Sequence, residues 1–369
     1  MTPRNDPPPP AAGGESPALA PGRALKVVAI GGGTGLSTLL KGLKRYVQAP
    51  GGSAQEAAID ELSAVVTVTD DGGSSGRLRK EFNILPPGDI RNCMVALSED
   101  EAHLSRLFQY RFPGGSGLKG HSFGNLFVAA LTAVSGDFAE AVKLSSAILA
   151  TRGHIFPATV ANVQLEALMG DGSRVRGETR ITASKKRIVK LRLVPANARP
   201  LPQTLEAIAQ ADLITLGPGS LFTSLAPNLL VHGIPQAIRA SRALKVFVCN
   251  LMTQANESLG LTAADHIRAL HRHAGGDIFD IALLNTAPVS RRMKARYARE
   301  GGAEVLCDIE AIEGLGVRVV GGNFLDEGAV VRHNTGRVAR ALLALAAEHL
   351  AGTTPRTAAS PRPRVKMVG

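Results

Sequence analysis

Two glycine-rich runs in this 369-residue chain carry residue types suited to holding phosphate. Ala29-Ile30-Gly31-Gly32-Gly33-Thr34-Gly35-Leu36-Ser37 follows an apolar run and opens a helical pattern of leucines at 36, 39, 40 and 43. Glycine lets the backbone turn at positive φ and approach a ligand closely. The unpaired N–H groups at a helix start then face an anion. Thr34 and Ser37 add hydroxyl donors. Leu216-Gly217-Pro218-Gly219-Ser220-Leu221-Phe222-Thr223-Ser224 repeats the design, with Pro218 fixing the turn and Ser220 and Thr223 supplying hydroxyls. The candidate phosphate contacts are Gly31, Gly32, Gly33, Thr34 and Gly35 in the first loop and Gly217, Pro218, Gly219 and Ser220 in the second. Two cradles suit a diphosphate better than one phosphate. The plainer alternative for each is a strand-to-helix turn with a cap. The Walker lysine pattern is absent, and no acid stands about 20 residues on at a strand end, which disfavours an NAD dehydrogenase.

Two further runs add polar chemistry. Thr67-Val68-Thr69-Asp70-Asp71-Gly72-Gly73-Ser74-Ser75-Gly76-Arg77 places adjacent carboxylates after an apolar strand pattern. Asp70 and Asp71 can hold Mg²⁺ through oxygen ligands, or accept hydrogen bonds from a base or sugar. Turn formation by Asp with Ser74 as a cap is the alternative. Lys119-Gly120-His121-Ser122-Phe123-Gly124-Asn125 leads into an apolar helix. Ser122 or Asn125 can meet a phosphate or a substrate hydroxyl, and capping and packing is the alternative for Asn125 and His121. Asp89 and Arg91, in Leu85-Pro86-Pro87-Gly88-Asp89-Ile90-Arg91-Asn92, are weaker candidates, as is the cation of Thr151-Arg152-Gly153-His154. His266, His271 and His273 lack metal-ligand spacing and are expected on a solvated helix face. No nucleophile stands beside a base, so no catalytic residue is assigned.

These runs sit where strands end. Strand patterns fall at Leu25–Ile30, Leu62–Thr69, Leu213–Leu216, Val246–Asn250, Ile281–Asn285 and Val317–Val320, with helical patterns at 221–231, 262–274 and 334–350 between or after them. That alternation implies βαβ units and a doubly wound, mostly parallel sheet. Fully apolar strands fit a sheet covered on both faces. Residues 88–150 read as a helical insertion. Residues 160–199 alternate in R-V-R-G-E-T-R-I and R-I-V-K-L-R-L-V, which reads as a small antiparallel β insertion with a wet, basic face. The folded body is expected over 24–350, between a disordered Pro-rich leader, 1–23, and a disordered basic tail, 351–369.

Composition narrows the class. The chain is 44% hydrophobic and 20% charged, ample for a buried core. No apolar run approaches the roughly 18–20 residues of a membrane span, and the N-terminal residues lack a secretory h-region. Three dispersed cysteines fit a reducing cytoplasm. The net charge of +11 is concentrated: residues 174–199 hold nine Arg/Lys against Glu178 alone, and the tail holds four more with no acid. With no Trp and 4% aromatics, base stacking has little to work with, which argues against nucleic acid. The basic segment is a candidate contact for a partner or a membrane surface.

The runs VVAIGGGTGLSTLLKGLK, VTVTDDGGSSGRLRKEFNILPPGDIRNC, KGHSFGNLF and LGPGSLFTSLAPNLLV, in this order, resemble the bacterial gluconeogenesis factor (YvcK) family. The resemblance spans roughly 25–348. That family is related to CofD, the 2-phospho-lactate transferase of deazaflavin cofactor synthesis. The resemblance implies a cytoplasmic, Rossmann-like nucleotide-binding protein linked to gluconeogenic growth, cell shape and cell-wall synthesis. It further implies binding of UDP-sugars such as UDP-N-acetylglucosamine, with no established catalysis. It carries the nucleotide and phosphate site onto Gly31–Gly35, Asp70, Asp71, Ser74, Asn125 and Gly217–Ser220. The transferase branch resembles a strand-end Asp pair followed by a PDLDT-type segment, whereas this chain has PPGDIRNC. The alternative is a Mg²⁺-dependent, CofD-like phosphoryl-group transferase. Expected partners are a nucleotide-sugar ligand and a cell-wall or metabolic protein, and the α/β class admits a homodimer.

Overall fold

The structure is a computed structural model that describes residues 23–48, 58–99, 101–184 and 186–353. The expected leader lies outside these residues except for Arg23. So does the expected tail after 353, its first three positions ending the last helix.

The chain starts with β1 (Leu25–Gly31), α1 (Gly33–Leu43) and β2 (Ile59–Val66). Five helices follow without an intervening strand: α2 (Gly73–Phe82), α3 (Gly88–Leu97), α4 (Glu101–Gln109), α5 (Phe123–Ser135) and α6 (Phe138–Ile148). Next come β3 (His154–Pro157), β4 (Gln164–Met169), β5 (Arg174–Arg176), α7 (Glu178–Ala183) and β6 (Ile188–Val194). The second half runs α8 (Pro202–Gln210), β7 (Leu213–Leu216), α9 (Ala226–Leu229), α10 (Ile234–Ala240), β8 (Leu244–Val248) and α11 (Ala263–Ala274). It closes with β9 (Ile281–Asn285), α12 (Arg291–Arg299), α13 (Ile309–Glu313), β10 (Arg318–Gly322), the hairpin β11 (Leu325–Glu327) and β12 (Val331–His333), and α14 (Thr335–Thr353).

Seven strands form one sheet in the order β10-β9-β8-β7-β1-β2-β3, with every pairing parallel. Helices flank it in a doubly wound α/β arrangement. β1 is central, with Val27 opposite Leu213 on one side and Leu62 on the other. Its side chains are buried except for the partly exposed Lys26, because helices cover both faces. On α1, Leu36, Leu39, Leu40 and Leu43 recur on one buried stripe, each worth roughly 1.5–3 kcal/mol of transfer free energy. From β1 the chain winds outward through β2 to β3, and from β7 it winds the other way to β10. The winding reverses between β1 and β7. In such sheets a ligand crevice opens at the carboxyl ends of the strands flanking that reversal.

A separate antiparallel sheet, β5-β4-β6, comes from residues 164–194. Its register places Arg176 and Arg192 opposite Glu166, and Arg174 and Lys190 opposite Leu168.

Several expectations change. The sequence pattern missed β3, a four-residue edge strand containing Pro157; an edge tolerates proline where a central strand would not. The alternation R-V-R-G-E-T-R-I is a strand only as far as Arg176, since Glu178 onward is α7. The pattern at 221–231 begins as a π turn over Leu221–Leu225 and becomes α-helical at Ala226. His266 and His271 are buried rather than solvated. His266 Nδ1 lies 2.7 Å from Thr262 O, and His271 stacks on Phe279. Burial pulls both imidazoles below their ordinary pKa.

Candidate functional site

The two glycine loops meet at the sheet reversal. A Cβ on Gly35 would collide with the Pro218 carbonyl, so the two backbones touch and glycine is required there. Gly32 lies against Thr67, Asp89 and Ser224, where segments from β1, β2, α3 and the π turn converge. The crevice over this junction has a volume of about 350 Å³. Its floor is Gly32–Gly35 with Pro218, Gly219 and Ser220, and its walls include Asn250, Tyr297 and His333. Ser37 is not in the lining. Its hydroxyl donates to Thr34 O, and Thr38 takes the place beside the loop.

The first helix start has a resident acid. Asp89 accepts a hydrogen bond from the Gly33 N–H, and desolvation raises its pKa to about 6, with Asp70 adding repulsion. The Thr34 and Gly35 N–H groups in the same first turn have no intrahelical acceptor, and both residues line the crevice.

The second loop differs from the expected anion cradle. Glu257 Oε1 accepts the Phe222 and Thr223 N–H groups, the latter at 2.9 Å. Gly219 N–H donates to Asn250 Oδ1 at 3.1 Å, and Asn250 Nδ2 returns a bond to Gly219 O at 2.7 Å. Protein groups therefore already serve the Gly219, Phe222 and Thr223 N–H groups. The loop still contributes Pro218, Gly219 and Ser220 to the crevice floor. Burial pushes the Glu257 carboxyl up to about 7 against these bonds.

The hairpin forms the far wall. Leu251, Met252, Val289 and Met293 make a small separate core on which Tyr297, Leu325 and Val331 pack. The Val331 N–H donates to Tyr297 Oη at 3.2 Å. His333 Nε2 donates to Cys249 O at 3.1 Å, and burial lowers its pKa to about 4, so the ring is neutral.

Of the expected contacts, Gly31, Gly217, Asp70, Asp71, Ser74 and Asn125 do not line the crevice. Asp70 Oδ1 accepts the Gly72 N–H at 2.8 Å and closes a turn. Asp71 Oδ1 accepts both the N–H and the hydroxyl of Thr179 at the start of α7. The two carboxylates therefore serve different partners. Among the described residues no three His, Cys, Asp or Glu side chains converge as a metal site. Ser74 Oγ lies 3.0 Å from His121 Nδ1, and burial lowers that imidazole's pKa. Ser122 caps α5 and accepts from Arg91 Nη1 at 2.8 Å. Asn125 is 2% exposed, with its Nδ2 3.4 Å from Ser75 Oγ and its Oδ1 without a partner. This segment therefore bonds to the start of α2 and to α3.

A profile of the CofD family, described as 2-phospho-L-lactate transferase CofD, matches residues 27–325. A relative from Halalkalibacterium halodurans named "Gluconeogenesis factor" is 47% identical over 318 residues, covering 86% of this chain and 95% of its own length. The chain belongs to the gluconeogenesis factor family, a relative of CofD. A Bacillus subtilis member of the gluconeogenesis factor family is 44% identical over 328 residues, covering 89% of this chain and 100% of the relative. The crystal structure of a Bacillus halodurans protein superposes with a TM-score of 0.82 at 46% identity, covering 87% of this chain and 99% of that one.

The motif reading of this family member missed Glu257, Glu178, Asn250, Tyr297 and His333. Each is single and without a local signature; the fold brings Asn250, Tyr297 and His333 into the crevice lining, Glu257 onto the second loop and Glu178 beside the end of β2. Glu178, from α7, accepts from Thr69 Oγ1 at 3.3 Å. Burial, then Asp70 and Asp89, push its carboxyl well above the ordinary range.

Proposed function

We propose that this chain binds a nucleoside diphosphate sugar of the UDP-N-acetylglucosamine type in the crevice, without turning it over. In this reading it is a cytoplasmic sensor. A protein partner reads the liganded state to adjust cell-wall synthesis, cell shape and growth on gluconeogenic carbon. One observation carries the reading: a 350 Å³ crevice at the sheet reversal whose floor is a glycine loop and a helix start. The diphosphate would lie on the Thr34 and Gly35 N–H groups, with Ser220 and Thr38 at its edge. The printed name of the relatives, gluconeogenesis factor, supports the metabolic role. The crevice lining holds no nucleophile paired with a base, which favours binding over chemistry.

Membership in the CofD group motivates the second reading, a Mg²⁺-dependent phosphoryl-group transferase. Asp70 would be its metal-facing acid, because Asp71 is committed to Thr179. Thermal-shift titrations with UDP-N-acetylglucosamine, UDP-glucose, UMP, GDP and NAD, each with and without Mg²⁺, separate the two. A ligand at 100 times its Kd adds about 2.7 kcal/mol to the folded state. A selective UDP-sugar shift with unchanged ligand after long incubation supports the sensor. A Mg²⁺-dependent preference for GDP, with product formed, overturns it.

A further inference from the structure

A second cavity, of about 590 Å³, lies between α2 and the antiparallel sheet and shares no lining residue with the crevice. Four cations line it: Arg79 and Lys80 from α2, Arg176 from β5 and Arg180 from α7. The acid in the lining is Asp71, whose Oδ1 is taken by Thr179. Gly177 is pressed against the other carboxylate oxygen, at φ +97°, where a Cβ would collide with it. Among the described residues Arg79, Lys80 and Arg180 form no ion pair, and Arg176 shares Glu166 with Arg174 and Arg192.

Arg79 is the telling member. It is 8% exposed. Its Nε and Nη2 donate to Asn162 Oδ1, and Nη2 also donates to Val163 O, while Nη1 has no partner. Burial lowers the pKa of the guanidinium, and Asp71 and Asp70 partly offset that. A buried cation held by neutral acceptors is costly, and an anion in the cavity beside it offsets that cost through charge. Asn83 Nδ2 and Gln164 add amide groups beside the cations, suited to hydroxyl groups, while Asn162 is committed to Arg79 and Asn83. The volume is that of a small-molecule site.

We infer that this cavity is a binding site for a small phosphorylated metabolite of the sugar-phosphate class, separate from the crevice. The phosphate lies among Arg79, Lys80 and Arg180, and the hydroxyls meet the amides. The inference goes beyond the nucleotide-sugar reading and does not depend on it.

Isothermal titration of the full chain with glucose 6-phosphate, fructose 1,6-bisphosphate and inorganic phosphate tests it, with and without UDP-N-acetylglucosamine. At least one sugar phosphate binds at a single site, more tightly than inorganic phosphate and without competition from the nucleotide sugar. The exposed pair Lys80→Ala/Arg180→Ala weakens it by about tenfold or more, the scale of losing charge-assisted contacts. Removing the same charge on α12 with Arg291→Ala/Arg292→Ala leaves it unchanged. No saturable sugar-phosphate binding, equal loss in both double variants, or one-for-one competition by the nucleotide sugar would each overturn the inference.

Discussion

Asp71 Oδ1 accepts two hydrogen bonds from Thr179, 2.8 Å from its N–H and 2.7 Å from its hydroxyl, across 108 residues of sequence. The N-cap position of α7 is Gly177, which has no side chain to cap the helix, so Asp71 supplies the cap from another element. The second acid of the Asp-Asp-Gly-Gly run thereby ties the antiparallel sheet to the end of β2. Thr179→Val removes one of the two bonds and Asp71→Ala removes both. Urea unfolding is expected to register a loss of about 0.5–1 kcal/mol for the first and about 1–2 kcal/mol for the second. Asp71→Asn keeps an acceptor oxygen and falls between wild type and Asp71→Ala. Unchanged stability in Asp71→Ala would contradict a capping role.

Gly35 and Pro218 set the distance between the two loops. Gly35→Ala forces its Cβ into the Pro218 carbonyl, and backbone on both sides leaves no flexible group to yield. The expected cost is about 1–3 kcal/mol, typical of overpacking. The larger effect is on ligand: the variant loses the UDP-N-acetylglucosamine thermal shift even where it remains folded. Retention of the full shift would place the ligand elsewhere.

The parallel sheet was legible because its strands are short, wholly apolar and followed by glycine loops. Leu213–Leu216 and Ile281–Asn285 match the sequence pattern residue for residue. The first loop was legible because glycine, threonine and a leucine stripe share one continuous stretch. The second loop's sequence fits a phosphate cradle but does not show that its Phe222 and Thr223 N–H groups are taken by Glu257, more than 30 residues downstream. The Asp pair is adjacent in sequence, yet its two carboxylates face different partners. His271 looked solvated because a helical pattern alone does not reveal that Phe279 stacks on it.

The resident acids predict a pH response of stability. The Glu257 carboxyl titrates near 7 in the folded chain, against about 4.5 for an ordinary glutamate. Between these values the folded state holds a proton that the unfolded state has released. Its contribution is therefore present below pH 4.5 and lost as pH rises through 7. Asp89, raised to about 6, acts in the same direction. His333, lowered to about 4, opposes it, its contribution being lost as pH falls below 6.5. Comparison with Glu257→Gln isolates the Glu257 part, since the amide oxygen still accepts the Phe222 and Thr223 N–H groups. Wild type is expected to lose more stability than the variant from pH 5 to pH 7.5. Parallel curves would show that Glu257 is ionised throughout.

Glu166 predicts a salt response. Its side chain is 7% exposed and pairs with Arg192 at 2.6 Å, Arg176 at 3.0 Å and Arg174 at 3.3 Å, all on one face of the antiparallel sheet. Burial alone would raise its carboxyl pKa, but bonds from Arg176, Arg192 and Arg174 outweigh it and hold the pKa below the ordinary value. Glu166→Gln keeps the shape and removes the charge, leaving three guanidinium groups facing one another. Because those groups are about half exposed, salt screens their repulsion. The variant is therefore expected to melt well below wild type at low ionic strength and to recover part of the difference in 0.5 M salt, where the screening length is only about 4 Å. Arg174→Ala added to Glu166→Gln relieves one repulsive partner and raises the melting point again, although the same change alone lowers it in wild type. A salt-independent deficit would mean that the carboxylate matters for packing rather than for charge. A sign reversal for Arg174→Ala between the two backgrounds is the result that assigns it to charge, because additive packing losses cannot change sign.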